Sequence, residues 1–315
     1  MKITFNDTVS ALKAADDIVI LTHKRPDGDT LGSAAALCLG LRQLGKRAYL
    51  FYNSDITSRF ESMVSPLWQP EGFEAKYVCA VDVADRVLLC AGAPEHIDLA
   101  IDHHPSFKDF GTLGYCEAES AACGEIIYEL LQALGCTFTQ EMADAVYTAV
   151  STDTGCFCFD NTTVRTHRVA MACFEAGADW RDINYRCFRQ KSRARTELEG
   201  YIYSEMDITS GGRVAVAVIT RDDIERIGAS DDDLDNLSSL ITQIKGVEVG
   251  ALLTETTKRG DFKVSMRSGK YNVSEICAIF GGGGHAGAAG CTLHDTTAAR
   301  AAGIVRRAIE EKINA

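Results

Sequence analysis

Short apolar runs of β type alternate with stretches of helical periodicity along the first part of the chain. Residues 17–22, 47–52, 77–83 and 97–101 read as strands, and residues 31–44 and 124–134 as helices. Strands alternating with helices predict βαβ units and a mostly parallel sheet flanked by helices, the α/β class. Gly45 stands between a helical run and the next strand and reads as a helix stop. The pattern then turns helical over residues 141–150 and 164–176, closing at Gly177. Further on, strands at 213–220, 247–255 and 261–267 and helices near 222–226, 232–245, 274–280 and 297–312 predict a second, smaller α/β domain. The expected organisation is a first domain over residues 1–185, a helical connector over 186–210 and a second domain over 211–315, with a cleft between the domains.

Composition narrows the class. At 315 residues, 46% hydrophobic and 24% charged, the chain has enough apolar mass for two cores, which excludes disorder and collagen-like repeats. The net charge of −12 argues against a surface that coats nucleic acid, because such surfaces neutralise phosphates with Lys and Arg. Its distribution says more: residues 1–185 hold 26 acids and 14 bases, whereas residues 186–315 hold 18 of each. The excess acid of the first domain is either solvated surface or, in part, a site for divalent cations, which demand anionic oxygen ligands. Residues 181–195 run the other way, with six bases against the single acid Asp182. That stretch reads first as a solvated face and second as a surface able to meet phosphates. The twelve cysteines are scattered without a C-x-x-C pair and read as reduced, buried small hydrophobes rather than disulfides or zinc ligands. The opening residues carry Lys and acids where a signal peptide needs an apolar run, and the weakly polar stretch 31–41 is far short of the roughly 20 residues that span a bilayer. A cytoplasmic protein without membrane contact is expected.

Candidate chemistry gathers at strand ends, where ligands collect in parallel sheets. His23, Asp27 and Asp29 follow the strand at 17–22 through a turn marked by Pro26 and Gly28 and lead into a helix. Asp27 or Asp29 alone would read as a helix cap. Two carboxylates and an imidazole crowded at one strand end read better as a cation site, since the carboxylates repel unless a cation lies between them. Asp82 ends the next apolar run, Asp102-His103-His104 ends the run at 97–101, and Asp153 follows a helix in Ser151-Thr-Asp153-Thr-Gly155. Two histidines and four carboxylates suffice for two divalent cations that share a bridging carboxylate. A ligand set without thiolate suits Mn²⁺ first, with Mg²⁺ or Co²⁺ as alternatives. Such a pair clamps the attacking and leaving oxygens of an in-line phosphoryl displacement.

The ordered set His23-x₃-Asp27-x-Asp29, Asp82, Asp102-His103-His104 and Asp153 resembles the four motifs of the DHH phosphoesterase superfamily. Gly281-Gly-Gly-Gly-His285-Ala-Gly-Ala-Ala-Gly290 resembles the glycine-rich signature of that superfamily's associated C-terminal domain. The stretch STDTGCFCFDNTT at 151–163 is most similar to the branch of bifunctional oligoribonucleases and phosphatases of 3′-phosphoadenosine 5′-phosphate (pAp). The resemblance implies that His23, Asp27 and Asp82 bind one metal and that Asp29, Asp82, His103 and Asp153 bind the other. It further implies that His104 contacts the scissile phosphate, that Asp102 orients His103 or His104, and that water held between the metals attacks phosphorus. The expected substrates are single-stranded RNAs of a few nucleotides and pAp, and the assembly is left open to a homodimer.

For the glycine-rich segment, glycines without Cβ would let backbone N–H groups approach a phosphate or terminal nucleotide. Gly282, Gly283, Gly284 and His285, together with Arg267 and Ser268, are the expected substrate contacts. A packed turn is the bland reading of the same glycines. Two departures from the resemblance stand out: Ala121-Ala122 where Thr or Ser is expected, and Cys158 where a basic or polar residue is expected. Both bear on substrate preference and neither on the metal ligands. Two other readings remain open at this stage. One is a phosphodiesterase of cyclic dinucleotides or linear pApA; the other, from a different class, is a catalytically silent nucleotide-binding sensor.

Overall fold

The computed structural model describes residues 1–314, which divide into two compact units, one spanning Met1–Gln190 and the other beginning at Lys191. In the first unit the chain runs through α1 (Phe5–Ala14), β1 (Ile18–Leu21), α2 (Gly28–Gln43), β2 (Ala48–Leu50), α3 (Ser58–Val64), β3 (Tyr77–Val81), β4 (Leu99–Asp102) and β5 (Leu113–Cys116). It continues through α4 (Cys123–Leu134), α5 (Gln140–Asp153), α6 (Val164–Glu175) and α7 (Trp180–Asn184). The five strands are all parallel, in the order β2-β1-β3-β4-β5. β5 escapes the sequence pattern because it is a four-residue edge strand containing a glycine and is only partly buried. The chain leaves β1 toward β2 on one side and β3 toward β4 on the other. That reversal opens a crevice at the carboxyl ends of β1 and β3, where an open α/β sheet binds its ligands.

The packing of α2 delivers side chains to this crevice. Its sequence is rich in Ala, Gly and Leu, and 13 of its 16 residues are buried. Gly32 lies so close to α5 that a methyl there would sit 2.3 Å from the Ala145 carbonyl oxygen, and one at Gly28 would sit 2.4 Å from Thr152 Oγ1. At the start of α4, a methyl at Gly124 would sit 2.6 Å from Ala149 Cβ. Close packing at these three glycines therefore draws the amino ends of α2 and α4 against α5 between Ala145 and Thr152. Asp29 and Asp153 travel with those helix ends.

The second unit holds α8 (Arg193–Glu205), β6 (Asp207–Thr209), β7 (Val214–Ile219), α9 (Arg221–Ile227), α10 (Asp231–Leu234), β8 (Val249–Glu255), β9 (Phe262–Arg267), α11 (Val273–Ala278), β10 (Gly283–His285), β11 (Ala288–Leu293) and α12 (Ala298–Asn314). Its sheet, in the order β10-β11-β9-β8-β7-β6, is antiparallel except for the β7–β8 pair. One core packs Phe262, Val264 and Met266 against Ile276, Val305 and Ile309, and a second packs Ala215, Ala217 and Leu252 against Leu198, Ile224 and Ile241.

Two sequence expectations need correction. Residues 232–245 do not form one helix: α10 ends at Leu234, Asn236 takes φ 50, and a 3₁₀ segment follows over Leu237–Gln243. Asp and Asn satisfy local backbone groups better than they continue a helix, so the polar run breaks it. The expected connector at 186–210 is divided between the units. Tyr185–Arg189 forms a π-helical turn in the first, and α8 belongs to the second. Three of its bases are matched by nearby acids, Arg186 with Asp182 and both Lys191 and Arg195 with Glu199, which fits the reading of a solvated face for that part. Among the described residues no helix is long and apolar enough to cross a membrane.

Candidate metal centre

His23 follows β1, and its Nδ1 donates to the Lys24 carbonyl at 2.8 Å. A carbonyl only accepts, so Nδ1 carries the proton and Nε2 presents its lone pair, 3.9 Å from Asp27 Oδ2. Asp27 does cap α2, accepting from the Thr30 N–H at 3.0 Å through Oδ1, yet its other oxygen is left to face His23. Capping and ligation are thus divided between the two oxygens of one carboxylate. Asp29 instead receives the Cys123 N–H at 2.7 Å and the Gly124 N–H at 2.9 Å, so it sits at the amino end of α4.

Asp82 follows β3 with φ 58, a left-handed backbone that costs about 1 kcal/mol or more for a residue with a side chain. The turn aims its carboxylate into the crevice. Oδ2 accepts from Thr30 Oγ1 at 2.6 Å, whereas Oδ1 is buried and has no hydrogen-bond partner among the described residues. At the end of β4, Asp102 Oδ1 accepts from the His104 Nδ1 at 2.8 Å and from the His103 N–H at 2.8 Å. Asp102 therefore orients the His104 ring, and the His103 ring is oriented by the Ser120 carbonyl, 3.0 Å from Nδ1.

His103 Nε2 is the telling atom. It is buried without a hydrogen-bond partner and faces Asp82 at 3.5 Å, Asp29 at 3.6 Å and Asp153 at 3.7 Å. With the proton on Nδ1, a lone pair and three carboxylates converge on one buried volume. That is repulsive unless a cation occupies it. Ligand atoms of His23, Asp27 and Asp82 form one group within 4.8 Å of one another, those of Asp29, His103 and Asp153 a second, and those of Asp82, His103 and His104 a third. Asp82 thus faces both His23 and His103. Cys123, beside Asp29, offers no thiolate, because burial holds its thiol well above the usual range. The donors are hard oxygens and imidazole nitrogens, a set that fits divalent cations of the Mg²⁺ and Mn²⁺ type.

The electrostatics of the metal-free chain agree. Burial first, and then the charges of Asp82 and Asp153, raise the Asp29 carboxyl well above the ordinary range. Burial and the charge of Asp27 raise Asp82. Asp153 is pushed up to about 7, chiefly by burial. His104 is pushed up to about 9, chiefly by its bond to Asp102. With Nδ1 committed to Asp102, the outer Nε2 of His104 is available as a donor.

The sequence reading did not single out Thr30, whose hydroxyl joins Asp82 to Asp27, or Asn53, whose buried amide holds Thr22 Oγ1 and the His23 carbonyl, each at 3.0 Å. Thr30 stands inside the motif and was legible there. Ser120 acts through its main chain, which no side-chain pattern reveals.

In the second unit the glycine-rich segment is no open loop. Gly283, Gly284 and His285 pair with Gly290, Ala289 and Ala288 in an antiparallel ladder. Gly282 and Gly284 are needed for packing, since a methyl at either would lie 2.2 Å from the Gly290 carbonyl oxygen or 2.6 Å from that of Ala288. Only Gly283 of the three borders open space. Ser268 is committed to its turn, donating to the Glu248 carbonyl at 2.7 Å and accepting from the Tyr271 N–H at 2.8 Å, so its hydroxyl is not the expected free substrate contact. Arg267 and His285 lie on strands either side of β11. Arg267 lies opposite Ala288, and Ala288 opposite His285, which places all three side chains on one face. The half-buried Arg267 guanidinium bonds the Met266 carbonyl at 3.0 Å and has no ion pair among the described residues.

Residues 17–150 match the model of the DHH family, N-terminal domain, and residues 211–314 that of the DHHA1 domain. The chain is 32% identical over 310 residues to the bifunctional oligoribonuclease and PAP phosphatase NrnA of Thermus thermophilus, covering 96% of this chain and 92% of that protein. In structure it is similar to an exopolyphosphatase-related protein from Bacteroides fragilis, with TM-score 0.87 and 24% identity over 98% of this chain and 95% of the other. It is also similar in fold to RecJ of Thermus thermophilus in complex with Mn²⁺, with TM-score 0.53 and 13% identity over 98% of this chain and 54% of that one. The chain therefore belongs to the DHH family, with the DHH N-terminal domain in its first unit and the DHHA1 domain in its second.

Proposed function

We propose that this DHH phosphoesterase uses two divalent cations, Mn²⁺ foremost, to hydrolyse RNAs of a few nucleotides to mononucleotides and to remove a phosphate from pAp. The observation that carries the reading is His103 Nε2, buried and unpaired against three carboxylates at the switch point of the sheet. A relative named for both activities, matched along almost its whole length, supports the choice of substrates.

In this reading His23, Asp27 and Asp82 hold one cation, and Asp29, Asp82, His103 and Asp153 hold the other. Bound there, the cations supply Lewis acidity, lowering the pKa of water and neutralising phosphoryl charge. The chain supplies the rest. The Lys24 and Ser120 carbonyls fix the tautomers of His23 and His103, so both offer Nε2. His104, held by Asp102, donates from Nε2 to a phosphoryl oxygen, or gives its proton to the leaving oxygen. On the second unit, Arg267 and His285 offer a nucleotide phosphate a guanidinium with a planar fork of donors and an imidazole.

The test is a panel of substrates with the purified full chain and Mn²⁺: an RNA dimer, an RNA 24-mer, pAp, pApA and pyrophosphate. Turnover of the dimer and of pAp, with little on the 24-mer or pyrophosphate, is expected. Turnover of pyrophosphate alone, or tight nucleotide binding with no metal-stimulated turnover, would overturn the reading.

A further inference from the structure

One turn touches His103 and Asp29, and a single side-chain amide links it to Asp153. The Ser120 carbonyl accepts from His103 Nδ1 at 3.0 Å, and the N–H groups of Cys123 and Gly124 hold Asp29 at 2.7 and 2.9 Å. On the same turn, the Ala121 carbonyl accepts from Asn161 Nδ2 at 3.0 Å, and the same amide nitrogen donates to the Asp153 main-chain carbonyl at 3.2 Å. A single amide thus ties the turn that orients His103 and Asp29 to the helix end that carries Asp153.

The turn is braced from α6. Arg165 pairs with Glu117 and donates to Ser120 Oγ at 2.9 Å, while its Nε meets Glu129 at 2.8 Å. Glu125, fully buried, accepts from the Ala121 N–H at 3.2 Å and from Thr166 Oγ1 at 2.6 Å. Residues 117, 120 and 121 are therefore held by side chains that touch none of the carboxylates facing His103. The His23 and Asp27 pair is held by different groups, the Lys24 carbonyl and the Thr30 N–H.

Resting on the reading that the two groups hold cations, we propose that Asn161 and Arg165 are positioning residues for one cation site only. They set the turn at residues 117–124, and through it the spacing of Asp29, His103 and Asp153. The affinity of that site depends on them, and the affinity of the His23 and Asp27 site does not. The physical reason is that an imidazole ligand is aimed by the acceptor of its other N–H. If the Ser120 carbonyl moves, the Nε2 lone pair swings away from the carboxylates. Loss of such outer partners weakens metal binding by about 10–100-fold.

Mn²⁺ titration of the full-length, metal-stripped protein by calorimetry and electron paramagnetic resonance tests this. For Asn161→Ala, one of the two binding events should weaken by about 10–100-fold while the other holds. The signal of a coupled Mn²⁺ pair should give way to that of isolated ions, and the metal-free melting temperature should stay near that of the parent. In a His23→Ala background, where only the second group remains intact, adding Asn161→Ala should remove the remaining tight binding. Arg165→Lys keeps the charge without the planar fork and should weaken the same event. Parental affinity for both Mn²⁺ ions in Asn161→Ala and Arg165→Lys would overturn the proposal, as would equal loss of both events. The metal reading fails separately: if His103→Ala and Asp153→Asn also leave both events unchanged, the groups do not hold cations at all.

Discussion

Stripping the cations should leave a protein whose stability falls as pH rises, the reverse of what paired carboxylates give. In the metal-free chain the Asp153 carboxyl moves from 3.8 to about 7, and Asp29 and Asp82 are raised in the same direction. An unfolded Asp loses its proton near pH 4, whereas these folded ones keep theirs to higher pH. Between about pH 4 and 7 the folded state binds more protons than the unfolded state, so the stability of folding declines across that window. At about 1.4 kcal/mol per pH unit, Asp153 alone accounts for on the order of 4 kcal/mol. His104, pushed up to about 9, acts in the same sense: its contribution is complete below about pH 6.5 and is lost as pH rises toward 9. At about 2–4 °C per kcal/mol for a unit of this size, the metal-free melting temperature should drop by on the order of 10 °C from pH 5 to pH 8. Mn²⁺ should remove most of that decline, because the cations neutralise the carboxylates and bind more tightly as protons leave. Differential scanning calorimetry of chelator-treated and Mn²⁺-loaded protein at constant ionic strength measures both curves. Asp153→Asn removes one of the crowded charges, so at pH 8 its metal-free form should melt above the metal-free parent while gaining less from Mn²⁺. A flat or rising curve for the metal-free parent, or a metal-free Asp153→Asn that melts below it at pH 8, would refute the reasoning.

His104→Ala should retain both metals and lose about 10²–10³ in kcat, whereas His103→Ala should also lose a metal; metal content by mass spectrometry with steady-state kinetics separates them, and identical metal loss in both would show that their roles are wrongly divided. Gly32→Ala brings a methyl to 2.3 Å from the Ala145 carbonyl oxygen and should destabilise the first unit by about 1–3 kcal/mol, read by urea denaturation, with weaker Mn²⁺ binding because α2 carries Asp29. Arg267→Ala and His285→Ala should leave metal content intact and reduce kcat/KM for an RNA dimer by a factor of roughly 30–1000, while slow hydrolysis of bis-p-nitrophenyl phosphate changes far less. Equal damage to both substrates would place these residues in the chemistry or the folding instead of in substrate grip.

What could be read along the chain is what local interactions encode. The parallel strands at residues 18, 48, 77 and 99 announce themselves as apolar runs, and the candidate ligands other than Asp153, which ends a helix, follow the carboxyl ends of three of them. The order of acids and histidines was therefore visible, because a strand, a turn and a helix start are set by neighbours a few positions apart. The tertiary structure alone decided how those residues group. Asp29 meets the N–H groups of residues 123 and 124, and Asp82 meets the hydroxyl of Thr30, only because α2 packs to backbone contact on α5. The partner of the His103 ring is a main-chain carbonyl, which carries no side-chain signature. The glycine-rich run has the composition of a flexible loop, yet contact with the backbone of β11 makes it a strand. Residue types and their order are local properties of the chain, whereas the buried volume in which a lone pair and three carboxylates face each other exists only once remote helices have closed around it.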